Sequence, residues 1–124
     1  MPRTSPATAH ELARVSLLAS LSGSDLARLA QRMSREEVAP GAAIVEEGEQ
    51  GSRFYVLLSG MLSVSQAALG ARRVLRPGDY FGEVAAAMEV PRTASVRALT
   101  PATVASCDRA TFDEFVRPLF SAAD

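Results

Sequence analysis

Glu83 and Arg92 are the two side chains whose types and spacing suggest a site. They stand nine residues apart in GDYFGEVAAAMEVPRTASVRA, Gly78 to Ala98. Gly82 opens a short alanine-rich helical turn. Its first amides, around Glu83, Val84 and Ala85, have no acceptor within the helix and can cradle an anion. Pro91 stops that helix and restarts the chain in an extended direction. If a strand begins there, alternation puts Arg92, Ala94, Val96 and Ala98 on one face. Three of these four are apolar, so the guanidinium is expected to point toward a core. A buried guanidinium needs a partner, and a phosphate offers the planar two-bond match that suits it best. Glu83 would repel a phosphate and suits a sugar hydroxyl instead. A surface turn followed by a salt-bridged arginine is the plainer alternative.

Those residues must be held by the elements around them. Residues 1–7, with two prolines and small polar side chains, read as a loose tail. Residues 8–35 form an N-terminal helical segment. Leu12, Val15 and Leu18 share one face, and Leu26, Leu29, Ala30 and Met33 another. Ser22 and Asp25 read as a capping box. Seven of the eight glycines then fall between Gly41 and Gly82, separating short apolar runs. The expected strands are 36–39, 43–46, 54–58, 62–66, 72–75, 80–81, 94–99 and 103–107. Pro40-Gly41 and Pro77-Gly78-Asp79 mark turns, and Ser59-Gly60 is expected to close a hairpin. Many short strands with glycine turns point to a β-sandwich or jelly roll. Asp108 is a good N-cap for a last helix over 109–119, with Phe112, Phe115 and Val116 inward and Pro118 ending or kinking it. The fold class is thus mainly β with flanking helices: one domain, with an eight-stranded antiparallel jelly roll over 36–108, N-terminal helices, a short helix after Gly82 and a C-terminal helix.

Phe81-Gly82-Glu83-Val84-Ala85 and Pro91-Arg92-Thr93-Ala94-Ser95-Val96, at this separation, resemble the phosphate-binding cassette of cyclic nucleotide-binding domains. Gly41, Gly48, Phe54-Tyr55, Gly60 and Leu75 to Asp79 match other marks of that family, so the resemblance covers roughly residues 10 to 120. It implies a β-roll with its cassette at 81–94. It also implies a ligand, cAMP with cGMP as the alternative, and no further cofactor. Phe81, Gly82, Glu83, Val84, Ala85, Arg92, Thr93, Ala94 and Val64 are the ligand-binding residues it points to. Arg92 and the helix amides would hold the cyclic phosphate, Glu83 the ribose 2′-hydroxyl, and Val64 would lie near the base. Arg72 or Arg73 would be a further base contact, although a solvated pair on a strand edge explains them equally well. Thr93 stands where a hydroxyl can reach the phosphate and also the amino group of a guanine. Ala86 departs from the pattern, because the family has a large aliphatic residue there that grips the following helix. If that site is buried, the alanine gives up roughly 2–3 kcal/mol of contact.

The totals narrow the alternatives. The chain has 124 residues and a formal net charge of −1, so no general electrostatic attraction to nucleic acid or anionic membrane is expected. No apolar run approaches the roughly 20 residues that span a bilayer, and the N-terminus lacks a signal-peptide core. With a single cysteine, Cys107, a cytoplasmic location is expected. All 13 basic residues are arginine, which hints at a GC-rich, bacterial coding sequence. A cupin-like metal enzyme would need two or three histidines with a carboxylate, and His10 is the sole histidine. No Ser–His–acid arrangement is available either. The expectation is therefore a regulatory sensor module, not an enzyme. Its partners would be a cyclic nucleotide and an output domain of the same or another protein, and homodimerisation stays open. A degenerate roll acting by protein contact is the second reading. A DNA-binding arm of the catabolite-activator type does not fit in the six residues after Pro118, so no direct nucleic-acid binding by this chain is expected.

Overall fold

The computed structural model describes residues 5–121, with backbone alone at 5, 6, 71, 72 and 121. The strands in chain order are β1 (Ser5–Pro6), β2 (Ser34–Val38), β3 (Ala43–Val45), β4 (Phe54–Ser59), β5 (Leu62–Gln66), β6 (Gly70–Leu75), β7 (Tyr80–Phe81), β8 (Ser95–Ala98) and β9 (Ala102–Cys107). The helices are α1 (Ala9–Leu12), α2 (Gly23–Arg32), α3 (Glu83–Met88), α4 (Arg109–Thr111) and α5 (Arg117–Ser121). A 3-10 turn occupies Ser16–Leu18, and a π-helical turn, Phe112–Val116, joins α4 to α5. One antiparallel sheet has the order β1-β2-β9-β4-β7 and the other β3-β8-β5-β6. The eight expected strands form the jelly roll, with β1 added as a short edge.

Period-2 alternation divides the core in two. On β4, Phe54 and Val56 face the helices while Leu57 faces the roll interior. On β9, Ala105 and Cys107 face the helices, and Ala102 and Val104 the interior. All six β9 residues are buried, because this central strand is covered on both faces. The helix-side core gathers Leu12, Leu18, Leu29 and Met33 with Phe112 and Val116, and the roll core gathers Leu62, Leu75, Phe81 and Val96.

The structure departs from the sequence reading at several points. Ser5 and Pro6 pair with Arg35 and Ser34, and Ala7 is buried with its N–H donated to the Met33 carbonyl, so residues 5–7 are part of the fold and not tail. α1 has a full capping box: Thr8 Oγ1 accepts from Glu11 N–H and the Glu11 carboxylate accepts from Thr8 N–H, both at 3.1 Å. At Ser22 only half of the expected box forms; Ser22 Oγ accepts from Asp25 N–H, and Asp25 pairs with Arg28. Strand β2 begins at Ser34, inside the segment expected to be helical. Ser59-Gly60 does not close a hairpin, because β4 and β5 belong to different sheets. Gly60, at φ +87°, turns the chain across the roll, and a Cβ there would lie 2.3 Å from the Pro101 carbonyl oxygen. The last helix runs past Pro118 to Ser121. Proline cannot donate to the carbonyl four residues back, and the widened π turn just before it accommodates that loss.

Candidate functional site

Gly82 starts the site. Its φ of +88° places it in the left-handed region, where it ends β7 and caps α3. A Cβ at this position would come within 2.6 Å of the Arg53 carbonyl oxygen and 3.1 Å of Arg92 Nη1. Only a glycine lets the backbone pass between strand and guanidinium. α3 then carries Ala85 and Ala86 inward and Val84 outward. Ala86 is fully buried in the helix-side core, so a larger aliphatic would have to displace its neighbours.

Arg92 points inward, as expected, but not from a strand. β8 starts only at Ser95, with Val96 and Ala98 buried and Arg97 exposed. Arg92 lies in the preceding extended segment, which is pinned by its own backbone. Arg92 N–H donates to the Glu49 carbonyl at 2.9 Å, and Gly48 N–H donates to the Arg92 carbonyl at 2.8 Å. The residue is 8% exposed. Its Nη2 donates to the Arg53 carbonyl at 3.1 Å, and its guanidinium lies 5.8 Å from the centre of the Tyr55 ring, which stacks on Phe81. Nη1 has no partner, and it is the one buried side-chain polar atom so placed among the described residues. Burial pulls the Arg92 pKa below its usual value, opposed by Tyr55 and Glu49.

Beside it opens a pocket of about 140 Å³. All nine residues singled out in the sequence line it: Val64, Phe81, Gly82, Glu83, Val84, Ala85, Arg92, Thr93 and Ala94. Val45, Val96 and Arg73 complete the wall. Arg73 stands opposite Val64 in the β5–β6 register. The Arg72 side chain lies outside the described residues. Burial raises the Glu83 pKa, and its own backbone N–H and the Arg73 charge oppose the rise. An uncountered guanidinium and a half-buried carboxylate share one cavity with an apolar floor of valines. This arrangement suits a compact anion that carries hydroxyls and a flat apolar part.

Gly51, the Arg53 carbonyl and Tyr55 are fittings around Arg92 that no local sequence pattern marks as such. A Cβ on Gly51 would lie 3.1 Å from Arg92 Nη2. The only trace of these fittings in the sequence is the glycine spacing ahead of Phe54-Tyr55.

The family model of the cyclic nucleotide-binding domain matches residues 35–118. The chain belongs to that family. The cAMP-dependent protein kinase regulatory subunit of Debaryomyces hansenii is 41% identical over 104 residues, covering 84% of this chain and 23% of the relative. The chain thus spans under a quarter of that curated relative. Among solved structures, the regulatory domain of Toxoplasma gondii PKA with cAMP matches with a TM-score of 0.86 and 27% identity, over 93% of this chain and 46% of that one. The regulatory subunit of a cAMP-independent protein kinase A from Trypanosoma cruzi, bound to guanosine, matches with a TM-score of 0.81 and 27% identity, over 91% and 41%. These relatives are eukaryotic, and the comparisons lend no support to a bacterial source. No helix among the described residues is long and apolar enough to cross a membrane.

Proposed function

We propose that this cyclic nucleotide-binding domain is a regulatory sensor that binds cAMP and performs no chemistry of its own. The observation that carries the reading is Arg92 Nη1, buried at the pocket wall without a hydrogen-bond acceptor. A buried cation left in that state is costly, and a cyclic phosphate supplies what it lacks. In this reading the phosphate meets Arg92 and the amides around Glu83 to Ala85. The ribose 2′-hydroxyl donates to Glu83, and the base lies against Val64. Binding favours whichever arrangement of α3 and the C-terminal helices holds the nucleotide better, and that difference is the signal. The output would belong to a further domain or a partner in the cytoplasm, as the kinase regulatory relatives suggest.

Thr93 favours a second reading. It lines the pocket and offers a hydroxyl that a guanine amino group can use, so a cGMP-preferring sensor is the alternative. Titration of the purified protein with cAMP and with cGMP in a calorimeter tests both. Tighter binding of cAMP is expected. Tighter binding of cGMP would install the alternative, and silence with both would leave a degenerate roll acting by protein contact.

A further inference from the structure

The residues between Pro91 and Ser95 lie off the sheet, so other parts of the roll must hold them. Arg92 is fixed through its own backbone, as described. Thr93 is held differently. Gln66, the last residue of β5, donates from Nε2 to the Thr93 carbonyl at 2.7 Å. Next along, Ser95 Oγ accepts from Glu47 N–H at 2.9 Å, and the Glu47 carboxylate accepts from Ala67 N–H at 2.8 Å. The turn after β3, the β5–β6 turn and the segment around Thr93 and Ser95 are thus clipped to one another, with Thr93 the member that lines the pocket.

We infer that Gln66 is a positioning residue that sets the nucleotide selectivity of the pocket by fixing the Thr93 peptide. The inference rests on the cyclic nucleotide reading of that pocket. Gln66 itself is not part of the pocket wall, so it acts through Thr93. The C=O and N–H of a trans peptide point in opposite directions, so a held Thr93 carbonyl also fixes the direction of Ala94 N–H. Both residues line the pocket, and among the described residues Thr93 carries the only hydroxyl that does. A hydroxyl can accept as well as donate. The guanine 2-amino group can donate to it, whereas adenine has no amino group at that position. Loosening Thr93 should therefore cost the guanine nucleotide more.

Calorimetric titration of wild type and Gln66→Met with both nucleotides reads this directly. For the variant, cGMP affinity should fall about ten-fold and cAMP affinity about three-fold or less, the size of change that follows loss of one or two hydrogen bonds. In a Thr93→Ala background, Gln66→Met should leave the cAMP-to-cGMP ratio unchanged, which a merely structural role would not predict. If Gln66→Met does not fold, Gln66→Glu keeps the shape and also lacks the donor. Its added charge repels both phosphates alike and leaves the ratio readable. An unaltered ratio in the variant that folds, or an equal shift without the Thr93 hydroxyl, overturns the role of Gln66 alone. Wild-type protein that binds neither nucleotide overturns the reading of the pocket, and this inference with it.

Discussion

Arg92 is closely fitted on all sides but has one donor unused. Gly51 and Gly82 give it room, the Arg53 carbonyl takes Nη2, the Tyr55 ring lies alongside, and Nη1 is buried without a partner. Arg92→Ala should weaken nucleotide binding by about 3–5 kcal/mol, because the phosphate would enter without its cation. Calorimetry checks this, and equal affinities for variant and wild type would place the ligand elsewhere. Glu83 makes the complementary case. Burial raises its pKa above the usual 4.5, so the fold favours its protonated form. Stability therefore falls as pH rises from that usual value through the raised one, since the unfolded chain ionises first. Glu83→Gln should raise the melting temperature of the unliganded protein at neutral pH and weaken its hold on the ribose. In the wild type, binding should fade as pH falls through the raised pKa. A binding curve flat across mildly acidic pH would remove Glu83 from the site.

Between elements, arginines tie α3 to the C-terminal helices. Arg117 donates from Nη2 to the Ala87 carbonyl at 3.1 Å and from Nε to Asp113 at 2.8 Å, while Arg109 pairs with Glu89 at the left-handed cap of α3. At Ala86, where the resemblance implies a large aliphatic grip, the link to the C-terminal helices is made by these polar ties. Arg117→Ala should cost about 0.5–1.5 kcal/mol of stability. It should also reduce the protection that nucleotide confers on residues 112–121 in hydrogen exchange; unchanged protection would mean that the signal travels another way. The cassette and strands were legible in the sequence because glycine spacing and period-2 runs are local signals. Because β8 begins only at Ser95, strand alternation is not the cause of the inward aim of Arg92. Its direction comes from backbone bonds to residues 48 and 49, a long-range contact that alternation along one strand cannot report. The corner at Gly60 was hidden for the same cause: a hairpin and a sheet-to-sheet crossing share the same two residues, and only the pairing partners differ.

As a whole, the molecule stacks two cores on one central strand, and the pocket opens at the edge of the roll core where β5, β6 and α3 meet. A ligand bound there is linked to the folding of the entire domain. Cyclic nucleotide at 100 times its dissociation constant should stabilise the protein by about 2.7 kcal/mol, visible as a rise of several degrees in a melting curve. The same nucleotide should leave Arg92→Ala nearly unmoved, and a rise in that variant equal to wild type would contradict the assignment. Glu83, the amides after Gly82 and Arg92 are marked by residue type and spacing, whereas Val64, from a distant strand, joins them only through likeness to a known pattern. Short apolar runs punctuated by turn glycines reached the fold class, while composition and charge served only to exclude alternatives.

The π turn at Phe112–Val116 stores one residue of slack. If that stretch tightened to an ordinary α-helix, everything after it would swing by roughly 100° around the axis. Arg117 would then leave the Ala87 carbonyl, and any segment beyond Ser121 would be re-aimed with it. Pro118 has no N–H with which to close an α turn onto the carbonyl four residues back, so Pro118→Ala should allow the wide turn to close. Backbone chemical shifts across 112–121 should move to regular helical values in that variant, and persistence of the wide turn would mean that packing, not proline, maintains it.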